Sequence, residues 1–73
     1  MSKLPQVSGA EVVRALQKIG FTVRRQHGSH IIMRRDNPFA QTVVPNHRQI
    51  DRGTLRAILR QTEVSVDELL KLL

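Results

Sequence analysis

Three side chains in this sequence move protons readily near neutral pH, and two of them stand in one short stretch, His27-Gly28-Ser29-His30; the third is His47. Gly28 and Ser29 form a tight polar break between two strand-like runs, residues 21–26 and 30–35, which places His30 at the mouth of a hairpin. Arginines stand on both sides of it, Arg24 and Arg25 before, Arg34 and Arg35 after. A proton carrier among fixed positive charges is what cleavage of a phosphodiester requires. The plainer reading is a histidine that only closes the hairpin and bonds the backbone. The four residues alone do not decide between the two.

Other chemistries fit less well. His27 and His30 are three apart and His47 could approach them, but a zinc site needs three or four convergent ligands and there is no cysteine. The carboxylates are mostly engaged locally: Glu11 and Glu68 in capping boxes, Asp67 in a first helical turn, Asp36 in a turn, Asp51 before a helix. No cluster remains to hold the ions of a two-metal nuclease, so no metal and no cofactor is expected. Ser29 adjoins His30, yet neighbours on a strand point to opposite faces and no orienting acid is near. RNA asks for less. Its own 2′-hydroxyl is the nucleophile, so a protein need only move protons and stabilise charge on the phosphate. His30 would serve as general base or general acid, and the arginines would hold the phosphate.

The elements that must position these residues follow from periodicity and punctuation. Ser8-Gly9-Ala10-Glu11 is a capping box that opens a helix. Ala10, Val13, Leu16 and Gln17 share one of its faces, Val12 and Ile19 widen the apolar side, and Gly20 stops it. Residues 21–26 alternate, with Phe21, Val23 and Arg25 on one side and Thr22, Arg24 and Gln26 on the other; Phe21 and Val23 are expected inward. Residues 30–35 are apolar on both parities, so their inward face stays open. Asp36-Asn37-Pro38 turns the chain into a short third strand, 41–44, ended by Pro45. Short turns join antiparallel neighbours, so the three strands make a meander. Residues 45–52 are a polar loop holding His47. Asp51 or Thr54 then caps a helix over 54–62, with Leu55, Ile58 and Leu59 buried and Arg56 and Arg60 facing away. A second capping box, Ser65-Val66-Asp67-Glu68, opens a last short helix carrying Leu69, Leu70, Leu72 and Leu73.

This α-β-β-β-α order with a short C-terminal helix is a two-layer α+β plan: a three-stranded antiparallel sheet with helices on one face and the other face free. Its expected core is Val13, Leu16, Phe21, Val23, Leu55, Ile58 and Leu59. With 73 residues the chain reads as a single domain, 1–73. A domain of this size buries only about 60% of its unfolded surface, so the core is thin. No apolar run approaches a membrane span, and Met1-Ser2-Lys3-Leu4-Pro5 lacks a signal-peptide core, so the chain is expected to be soluble and cytoplasmic.

Charge points to a partner. Lys plus Arg number 12 against 6 Asp plus Glu, a formal +6, and nine of the basic residues are arginine, whose planar fork grips phosphate bidentately. All but Arg14 lie between Arg24 and Arg60, a concentration that favours a polyanionic partner over mere solubility.

The segments Ser8-Gly9-x-Glu11-Val12-Val13, Gly20-Phe21, Gly28-Ser29-His30, Val44-Pro45-x-His47 and Gly53-Thr54-Leu55-Arg56-x-Ile58-Leu59-Arg60-Gln61 occur in that order. Together they resemble the HicA family of bacterial toxins, over about residues 3–73. The resemblance implies a fold like the double-stranded-RNA-binding domain, and a ribonuclease that cuts messenger RNA independently of the ribosome. It implies that His30 of Gly28-Ser29-His30 is the catalytic residue and that a HicB-type antitoxin masks the site. The free toxin would be a monomer and the silenced one a hetero-oligomer. The sequence departs from the family pattern at Ile31, where many members carry a second histidine, in the turn over 36–41, which is longer and lacks Asp-Gly, and at Glu63, where glycine is common.

The RNA-contacting candidates are Arg24, Arg25, Arg34 and Arg35, with Ser29 in the motif and Lys18, Arg48 and Arg52 as further contacts; roles for His27 and His47 stay open. The rival readings are a non-catalytic RNA-binding module, in which His30 is a mere contact, and a small basic adaptor for an acidic protein.

Overall fold

The structure, a computed structural model, describes residues 3–73. The order is α1 (Gly9–Gln17), β1 (Thr22–His27), β2 (His30–Asp36), β3 (Phe39–Pro45), α2 (Arg52–Thr62) and α3 (Val66–Leu72). The sheet is antiparallel with spatial order β1-β2-β3, so β2 is central and the other two strands are edges. The architecture is the expected α+β plan of one sheet with helices on one face.

Both capping boxes form. Glu11 N–H donates to the Ser8 hydroxyl at 3.1 Å while Ser8 N–H donates to the Glu11 carboxylate at 2.9 Å, and Ser65 and Glu68 repeat the exchange at 3.0 Å each way. The buried stripe of α1 is Val12, Ala15 and Leu16, continued by Ile19 at its end. This differs from the expected face by about one residue. Ala10 and Gln17 are exposed and Val13 is only half-buried, because Val12, Leu16 and Ile19 form the i, i+4, i+7 set with the larger apolar area. The helix ends in paired bonds, Phe21 N–H to the Leu16 carbonyl and Gly20 N–H to that of Gln17, with Gly20 as the left-handed residue.

Ile31 and Met33 of β2 face the helices, and Ala40, Thr42 and Val44 of β3 lie beside them, each opposed to a residue of the same face. Leu16, Phe21, Met33, Leu55, Ile58 and Leu69 fill the space between sheet and helices, with Val7 and Ile50 closing one end. Val23 is a correction. Expected in the core, it is 43% exposed, because β1 is an edge strand lying beyond the helices' cover and Phe21, just before it, takes the core position. The third strand also starts earlier than expected, at Phe39, since the turn is only Asn37-Pro38, a cis pair.

Asp51, not Thr54, caps α2: its carboxylate accepts from Gly53 and Thr54 N–H at 3.1 and 3.3 Å, so the helix begins at Arg52. The helix ends at Glu63 in the left-handed region, φ 58°. In α3 only Leu69 is buried, while Leu70 and Leu73 face solvent. Among the described residues no helix is long and apolar enough to cross a membrane.

Candidate functional site

Opposed residues in an antiparallel pair project to the same face, so the register assigns the outer face of the sheet. Because Ile31 and Met33 face the helices, His30, Ile32, Arg34 and Asp36 of β2 face outward. They are opposed on β3 by Pro45, Val43, Gln41 and Phe39. On β1 the outward residues are Thr22, Arg25 and His27, opposite Arg34, Ile32 and His30.

A β-bulge makes this arrangement. Val23 pairs with Met33 and Arg25 with Ile32, so Arg24 is the extra residue. Strict alternation would put Arg25 beside Val23 on the helix side. The bulge reverses the parity beyond Arg24 and brings Arg25 and His27 to the open face. The expected grouping of Arg25 with Phe21 and Val23 is therefore corrected.

The hairpin that presents His30 is built from its loop. Of the two loop residues only Gly28 has a positive φ, 56°, the signature of a two-residue turn with glycine first. The Gln26 amide donates to the Gly28 carbonyl at 2.9 Å, and Asn46 N–H donates to that of Ser29 at 2.6 Å. The chain after β3 is held in turn: Gly9 N–H donates to the His47 carbonyl at 2.9 Å and Ile50 N–H to that of Val7 at 2.8 Å. Gly9 allows this approach, since a Cβ there would overlap the Pro45 carbonyl oxygen. The N-terminus of α1, the end of β3 and the hairpin tip are thus locked together, with His30 flanked by His27 and Pro45 and exposed to solvent.

The remaining candidates divide. Arg24, at the bulge, and Arg25, on the outer face, are exposed and make no ion pair among the described residues. Arg34 shares that face, its Nε 2.9 Å from the Asp36 carboxylate. Ser29 sits in the turn and Arg48 in the loop beside His47, both exposed at the His30 end of the sheet. Arg35 points to the helix side: its guanidinium lies 4.6 Å from the centre of the Phe21 ring and donates to the carbonyls of Pro38 at 3.0 Å and Ile19 at 3.4 Å. Lys18 is at the far end of α1 from the hairpin tip, its ammonium donating to the Leu72 carbonyl at 2.7 Å. Arg52 is exposed on the first turn of α2. The sheet face therefore gathers His30, Arg25 and Arg34, flanked by Arg24, Ser29 and Arg48, and leaves Arg35 and Lys18 elsewhere.

His27 was not among the sequence candidates for the site, yet it is the direct cross-strand partner of His30. The signal was present: a two-residue loop sets its flanking residues opposite one another. The three histidines do not gather into a metal site, as no group of three His, Cys, Asp or Glu among the described residues is placed to hold an ion. The face also carries apolar area, with Val43 and Phe39 exposed and Ile32 between Arg25 and Val43. It is open, cationic and edged with histidine, which suits an extended polyanion whose bases need apolar contact.

A family model described as the HicA toxin of bacterial toxin–antitoxin systems matches residues 9–64, from the start of α1 to just past α2. No curated protein matches the chain.

Proposed function

Since the chain belongs to the HicA family, the toxins of bacterial toxin–antitoxin systems, we propose that its toxic activity is endoribonuclease cleavage of messenger RNA, with His30 transferring a proton. One observation carries the reading: the Gly28-Ser29-His30 turn presents an exposed imidazole at the rim of an open sheet face that also bears Arg25 and Arg34. Single-stranded RNA laid across this face brings a scissile phosphate to His30. Arg24, Arg25, Arg34 and Arg48 neutralise phosphates and the Ser29 hydroxyl adds a hydrogen bond. The RNA 2′-oxygen attacks its own phosphorus, the bond to the 5′-oxygen breaks, and the products are a 2′,3′-cyclic phosphate and a 5′-hydroxyl. With the nucleophile supplied by the substrate, the reaction needs no cofactor.

A toxin must be silenced in its own cell. A HicB-type antitoxin with an acidic surface would cover His30 and the exposed Val43 and Phe39 of the same face. The free toxin is then a cytoplasmic monomer and the silenced one a hetero-oligomer. Neutralising three or four phosphates predicts a slope of about −2 to −3 for log affinity against log salt on single-stranded RNA. The test is incubation of the purified chain with a defined RNA in EDTA, followed by analysis of the product ends. Cyclic phosphate and 5′-hydroxyl ends are expected. Uncut RNA, or 5′-phosphate ends, overturns the reading.

A further inference from the structure

We propose that His27 is a second catalytic residue, acting with His30 as an acid–base pair on the RNA phosphate; this rests on the ribonuclease reading above. The observation is the register. His27 and His30 close the β1–β2 ladder as directly opposed residues, both outward and both exposed. Opposed residues carry their Cβ atoms about 5 Å apart, so two imidazoles rising from one face bracket a group the size of a phosphate. Neither imidazole is occupied by a hydrogen bond or an ion pair among the described residues. The bulge at Arg24 is what sets His27 on this face, since strict alternation would turn it to the helix side. The charged group nearest on the same face is Arg25, two residues along β1; Pro45, opposing His30 from β3, carries no charge. His47 and Arg48 stand in the adjoining loop, and the face's carboxylate, Asp36, is at the far end of β2.

The reaction calls for two proton carriers. In an in-line displacement the attacking 2′-oxygen and the departing 5′-oxygen lie on opposite sides of phosphorus, beyond the reach of one imidazole at hydrogen-bond distance. One histidine takes the proton of the 2′-hydroxyl as the new P–O bond forms. The other, entering protonated, gives its proton to the 5′-oxygen as the old P–O bond breaks. Charge and protons balance, and exchange with water restores both rings.

The experiment uses the full chain and its His27→Ala and His30→Ala variants, both folded by circular dichroism, on two oligonucleotides. One has the natural 5′-oxygen at the scissile position. The other has a bridging 5′-sulfur, a leaving group that departs without a proton. On the natural RNA, His27→Ala should lower kcat by about 10²–10⁴-fold with KM little changed. On the sulfur-bridged RNA one variant alone should recover to near the wild-type rate, and that variant identifies the acid. Wild-type kcat in His27→Ala, a change confined to KM, or rescue of both variants or of neither, overturns the pair. The parent reading fails separately, if the wild type leaves RNA uncut or His30→Ala cuts at the wild-type rate.

Discussion

Glu63 ends α2 with a left-handed backbone, φ 58°, the one non-glycine residue with positive φ among those described. The conformation is imposed by paired bonds in the helix-ending motif, Val64 N–H to the Leu59 carbonyl at 3.0 Å and Glu63 N–H to that of Arg60 at 3.3 Å, followed at once by the Ser65 cap of α3. Holding an L-residue there costs about 1–2 kcal/mol. Glycine removes that strain but adds unfolded-state entropy of about 0.5–1 kcal/mol, a net range of about 0–1.5 kcal/mol in favour of Glu63→Gly, centred on a stabilisation of about 0.5–1 kcal/mol. For a domain of this size that is a rise of roughly 2–8 °C in Tm. The Glu63 side chain is exposed and makes no ion pair among the described residues, so truncation breaks no ion pair, though it does lift a negative charge from the negative end of α2. Glu63→Ala shares that charge effect and keeps the strain, so the difference between the two variants isolates the backbone. Thermal melts followed by circular dichroism measure it. If both variants melt within about 1 °C of each other, the strain argument is wrong.

Gly9→Ala should cost about 1–3 kcal/mol by overpacking, since its methyl would meet the Pro45 carbonyl and the Asn46 Cα; urea unfolding measures this, and RNA cleavage should fall too as Pro45 shifts beside His30. Arg35→Ala and Arg25→Ala should separate: the first removes the cover over Phe21 and lowers Tm, while the second leaves Tm unchanged and weakens RNA binding with a shallower salt slope. Acid should weaken the helix starts. Hydrogen bonds from the backbone N–H of Ser8 and of Ser65, and then from their side chains, hold the Glu11 and Glu68 carboxyls below the ordinary glutamate value. With both folded values depressed, their contribution is complete above the unfolded value and is lost as pH falls below it through the folded ones. Urea midpoints taken from neutral pH to about 3 should fall less steeply in the Glu11→Gln/Glu68→Gln double variant than in the wild type. Equal slopes would refute this.

What was legible in the sequence was local. Ser8 with Glu11 and Ser65 with Glu68 are three apart, so the boxes can be read without knowing the rest of the chain, and the stripe of Leu55, Ile58 and Leu59 on α2 is a helical repeat. The faces of the sheet were not legible. β2 is apolar on both parities, and Ile31 and Met33 turn inward because of the helices they meet. The bulge at Arg24 has no glycine or proline to announce it, yet it decides the side on which Arg25 and His27 stand. Arg35 reads as surface charge, while its parity with Met33 lays it along Phe21. The rim position of His30 was readable from Gly28 and Ser29; its company on the open face was not.

The catalytic role of His30 is tested most directly by the cleavage rate of His30→Ala against wild type, on one single-stranded RNA with chelator present and with a 2′-O-methyl control at the scissile nucleotide. His30 is exposed and lies outside the buried core cluster, so the variant should fold and melt as the wild type does. It should still bind RNA and cut it about 10²–10⁴-fold more slowly, and the wild type should leave the methylated RNA intact. A folded His30→Ala protein that cuts RNA at the wild-type rate would contradict the account.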